Sequence, residues 1–147
     1  NTVALHFAPV ALPKGVTIRT AYLQFQTDKT SDQDVSLIMR VEDGPAEPFA
    51  TLDEPLANRR YLIDSVSWSV PPWTTKGERG FAQRSPDIAP LLQQIVDGEG
   101  WTEGAAMSVI LTNNVDAGSL GQRMAESFEG QEEAAAVLHI EFDQAVP

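Results

Sequence analysis

The chain has 147 residues, the size of one domain, which buries roughly 68–70% of the surface its unfolded form exposes. Ten Lys and Arg stand against 21 Asp and Glu, a formal net charge of −11 that argues against nucleic acid as a general partner, since phosphate binding needs a positive face. The absence of cysteine excludes disulfides, thiolate nucleophiles and Cys-type zinc sites, and no apolar run approaches the roughly 20 residues that cross a bilayer.

In chain order, the first signal is strand-like alternation. "TVALHF" puts Val3, Leu5 and Phe7 on one face, and "AYLQFQ" puts Ala21, Leu23 and Phe25 opposite Gln24 and Gln26. "VSLIMRVE" sets Val35, Leu37, Met39 and Val41 against Ser36, Arg40 and Glu42. Val66, Trp68 and Val70 continue the pattern, as do Met107, Val109 and Leu111, then Leu138, Ile140 and Phe142 with His139 and Glu141 outward. A period of two predicts half-buried antiparallel strands. The breaks fall at Pro13-Lys14-Gly15, at Asp43-Gly44-Pro45 and between Asp116 and Gly121.

One segment has a different period. Ile88, Leu91, Leu92, Ile95 and Val96 recur at helical spacing. Asp87 is the predicted N-cap, because Pro90 then falls in the first turn, where its missing N–H costs no helical bond, and Gly98 closes the helix. The predicted fold class is all-β, an antiparallel β-sandwich with one short α-helix, filling residues 1–147 as a single domain. Asn1 leads straight into the first strand with no signal peptide ahead of it, so the chain reads as a mature or excised piece of something longer.

Candidate site residues gather in loops. Asp28, Asp32 and Asp34 in "TDKTSDQD" offer oxygens of the kind calcium takes, without the EF-hand spacing. Residues 59–84 hold Arg59, Arg60, Lys76, Arg79 and Arg84 against only Asp64 and Glu78, a local positive window on an acidic chain. Within it, Trp73 follows Pro71-Pro72. A stiff, partly exposed indole there would make a platform for the apolar face of a sugar ring. Trp68 and Trp101 are expected in the core. Arg59, Arg60, Arg84 and Arg123 are the candidate polar partners, since a guanidinium pairs bidentately with carboxylate or sulfate and bonds vicinal hydroxyls. The alternative for Arg123 is a pair with Glu126 or Glu129.

Signatures of catalysis are missing: there is no HExxH, GxSxG, P-loop or GxGxxG. Ser127 beside Glu126, with His139 nearby in sequence, does not make a triad, whose geometry spacing cannot give, and Glu126 and Glu129 stand three residues apart on one hairpin, whereas glycosidase carboxylates flank a substrate from opposite sides. The expectation is a protein that binds and does no chemistry.

The order "VSWSVPPW", "QRSPDIAPLLQQIVDGEGW", "MSVILT", "RMAESFEG", "AAVLHIEF" resembles the DNRLRE-type jelly-roll modules of secreted bacterial proteins, some of which are carbohydrate-binding modules. The resemblance covers nearly the whole chain. It implies a jelly-roll sandwich, an extracellular location on a larger enzyme or adhesin, and often a structural calcium ion. The function expected is that of a non-catalytic carbohydrate-binding module directing a larger secreted protein to polysaccharide. A structural or adhesive spacer of a cell-surface protein is the alternative.

Overall fold

A computed structural model describes residues 2–46, 59–117, 121–125 and 135–143. The alternating segments form strands: β1 (Thr2–Phe7), β2 (Thr17–Gln24), β4 (Val35–Val41), β5 (Val66–Val70), β6 (Met107–Asn113) and β8 (Val137–Asp143). Two short strands carry too few residues to show a period, β3 (Thr27–Lys29) and β7 (Met124–Ala125). All strand pairs are antiparallel. One sheet has the order β1-β6-β4-β5, and two ribbons pair β2 with β8 and β3 with β7. The described residues are therefore predominantly β, with antiparallel sheets and one α-helix.

The inward residues follow the period. Ala21, Leu23, Met39, Val41, Met107 and Val109 are inaccessible to solvent, and Trp68 is buried among them, stacked 5.8 Å from the Phe25 ring. Trp101 is buried as expected, its Nε1 donating to the Leu12 carbonyl at 2.8 Å.

The helix α1 (Ala89–Val96) starts later than the N-cap at Asp87 predicts, with Ile88 in the cap position and Pro90 in the first turn. Asp87 nonetheless serves the helix. Its Oδ1 accepts from the Ala89 N–H at 3.0 Å and from the Ala21 N–H at 2.9 Å, tying the helix start to β2. The buried stripe of Leu91, Leu92, Ile95 and Val96 is the one the spacing predicts. Along the side of β2 away from β8, the non-strand segment 83–88 substitutes for a neighbour. Phe25, Ser85 and Ile88 donate N–H bonds to Gln83, Leu23 and Ala21 carbonyls, and the Leu23 N–H goes to Ser85 Oγ. That segment leads straight out of the loop carrying the candidate site.

Candidate functional site

Trp73 does not present its ring to solvent. Its residue exposure is 2%, its backbone exchanges two 2.8 Å hydrogen bonds with Ser31, and its Nε1 donates to the Ala82 carbonyl at 2.8 Å. The expected exposed platform is corrected to an anchor. Pro71-Pro72 steer the chain inward, where the indole lies 6.4 Å from the Phe25 ring and holds the following loop from beneath.

The four arginines do not ring that indole; they fall in separate places. The Arg59 side chain is buried and pairs through Nη1 with Glu42 Oε1 at 2.9 Å, so it is not an open hand for a ligand. Arg60 is exposed, and its carbonyl accepts from the Asp43 N–H. Arg123 binds the protein itself. Nε donates to the Pro71 carbonyl, Nη2 to the Val70 carbonyl, and Nη1 to Ser31 Oγ and the Gln122 carbonyl. It is a staple between the start of β7 and the end of β5. Burial pushes its pKa below the ordinary guanidinium value, with Asp32 and Asp34 acting in the opposite sense. The alternative partners expected for it, Glu126 and Glu129, lie with Ser127 outside the described residues.

The three aspartates expected to offer calcium its oxygens are not gathered at one point. Asp28 lies within β3, whereas Asp32 and Asp34 are exposed beyond it. Among the described residues no group of three or more His, Asp or Glu side chains converges as a metal site.

Arg84 is the member of the set that stands at a prepared surface. Its guanidinium carbon sits 4.4 Å above the Tyr22 ring, and Nε donates to Gln24 Oε1 at 3.2 Å. Gln24 is itself held, since Nε2 donates to the Gly80 and Phe25 carbonyls. Tyr22 stacks in turn on His139, its register partner on β8, at 4.6 Å and 21°. His139 Nε2 lies 3.3 Å from Glu141 Oε2. The outward face of the β2–β8 ribbon thus carries a column of guanidinium, phenol and imidazole, ending in a carboxylate.

Beside it, Phe81 is 83% exposed on a 3₁₀ turn (Phe81–Gln83). That turn is rigid for identifiable reasons. Gln83, fully buried, accepts from the Gly80 N–H at 2.8 Å and donates to Glu78 Oε1 at 3.0 Å. The Glu78 carbonyl takes the Thr27 N–H, and the Trp73 indole holds Ala82. These bonds fix the backbone of the turn and leave the Phe81 ring in solvent.

Tyr22 and Phe81 were not singled out by the sequence, and His139 was read only as an outward strand residue near Ser127. The available signals were a tyrosine on the polar face of "AYLQFQ" and a phenylalanine between Gly80 and a polar run. The other histidine, His6, lies with Nδ1 3.1 Å from Ser108 Oγ, and Ser108 is fully buried. The chain was compared with protein-family models, curated proteins and solved structures, and none matches it significantly.

Proposed function

We propose that this chain is a non-catalytic carbohydrate-binding module, a jelly-roll sandwich that directs a larger extracellular protein to polysaccharide. The observation that carries the reading is the outward-facing column of exposed Arg84 and half-buried Tyr22 and His139 beside Phe81. A sugar ring offers one apolar face and a rim of hydroxyls. The aromatic edges and Phe81 meet the face, while Arg84 and Glu141 supply the donor and acceptor that orient the rim. An acidic sugar gains further from the guanidinium fork, which lies in the locally positive window of a chain at −11. At physiological ionic strength charges more than about 8 Å away are largely screened, so the nearby cations count for more than the net charge.

The test is affinity electrophoresis against neutral and acidic polysaccharides, with and without chelator, for the parent, Phe81→Ala and Arg84→Ala. Each substitution is expected to weaken binding about tenfold, the equivalent of about 1.4 kcal/mol. Full affinity in both variants would remove this surface, and no binding to any glycan would remove the function.

The second reading, a structural or adhesive spacer, is favoured by the bare edge of β1, which no described strand covers.

A further inference from the structure

The column on β2 and β8 contains a side chain whose charge follows pH. Histidine ordinarily gains its proton between about pH 8 and pH 5, and the chain has only two of them. His6 lies on β1, in the other sheet. His139 lies on β8 within the surface described above, its side chain 43% exposed.

The groups around the imidazole come from three elements. On its own strand, Glu141 brings Oε2 to 3.3 Å from His139 Nε2. From β2, the Tyr22 ring stacks on it at 4.6 Å. From the segment along the other side of β2, Arg84 sits over the same phenol at 4.4 Å, so Tyr22 stands between a guanidinium and the imidazole. Further along the ribbon, Arg19 and Asp143 are paired with each other at 3.0 Å. The two ring distances put the guanidinium and the imidazole no more than ~9 Å apart, close to the ~8 Å screening length of physiological salt. A proton on His139 is therefore felt by an anion held at Arg84.

The charge count has a definite sign. With a neutral imidazole, the Arg84 cation and the Glu141 carboxylate offset each other, and an approaching anion meets a cluster of no net charge. With an imidazolium, Glu141 is offset by its own neighbour and the Arg84 charge is left over. Glu141 does not lock the imidazole away, because both side chains stay about half exposed and ion pairs in water are weak.

We propose that His139 is the specificity-determining residue of this surface: protonated, it makes the surface select polysaccharide carrying carboxylate or sulfate over neutral polysaccharide, and deprotonated, it removes that preference. This rests on the carbohydrate-binding reading and adds to it a selection by pH. One unit charge at this range changes the affinity for a single anionic group by roughly threefold to tenfold.

The experiment titrates the 147-residue chain by calorimetry with polygalacturonate, dextran sulfate and neutral dextran, at about pH 5.5 and about pH 8 and fixed ionic strength. Both acidic polymers keep their charge across that range, and comparing them tells carboxylate from sulfate. The acidic polymers are expected to bind roughly threefold to tenfold more tightly at the lower pH, with no such change for dextran. His139→Arg, a permanent cation, is expected to bind them tightly at both pH values, and His139→Gln weakly at both. A histidine that merely packs against Tyr22 would give neither pattern. Equal affinity at the two pH values, a rise that persists in His139→Gln, or a matching rise for dextran would overturn the inference and leave the carbohydrate reading standing. Failure of every polymer to bind at either pH would remove both together.

Discussion

At the residue scale, the polar groups that matter are those that lose water. Glu42 and Arg59 form a buried pair at the end of β4, and Tyr61 bridges to Glu42 through the backbone. Burial, then the Glu42 charge, raises the Tyr61 pKa above 10.0, with Arg59 acting against them. The consequence has a definite sign. Below pH 10.0 the phenol is protonated whether the chain is folded or not, and stability is unaffected. As pH rises past 10.0 the unfolded chain ionises first, so stability falls until the folded-state value is passed. Urea unfolding at pH 9, 10 and 11 should therefore show a steeper alkaline decline in the parent than in Tyr61→Phe. Equal slopes would mean that the ring is solvated. The same logic separates the arginines. Arg59 and Arg123 spend their donors on the protein, whereas Arg84 uses Nε to fix its stem and sits over the Tyr22 ring.

At the element scale, the helix and the loop before it stand in for a missing strand beside β2. Asp87 joins the two with one carboxylate oxygen accepting from Ala21 and Ala89. Asp87→Ala strands both donors and is expected to cost about 1–3 kcal/mol, read from the urea midpoint; Asp87→Asn should recover most of the loss. This element also shows what was legible beforehand. Period-two and helical spacing are properties of consecutive side chains, so the six longer strands and the buried stripe of α1 could be read directly. The direction of Trp73 could not. It depends on Ser31 bridging to it across 42 positions and on the Ala82 carbonyl, partners that no local pattern announces. The Arg84 surface was half legible, since the cation lies in the positive window but Tyr22 and His139 meet only after β2 and β8 pair.

At the scale of the whole molecule, a net negative charge and the edge of β1, which no described strand covers, act against each other. Near pH 4.4, where the net charge vanishes, repulsion no longer separates copies, and contact through the β1 edge, uncovered among the described strands, becomes easier. Light scattering is expected to rise in that window, and Ala4→Lys, which places a charge on the outward face of the edge, should suppress it. Undiminished scattering in the variant would shift the blame to another surface. One further property follows from the column on β2 and β8. With only two histidines in the chain, the imidazole protons give a nearly empty spectral region, and the ring current of Tyr22 displaces those of His139 from those of His6. A one-dimensional proton spectrum of unlabelled protein thus carries a built-in gauge of anything that settles on, or pries apart, that stack.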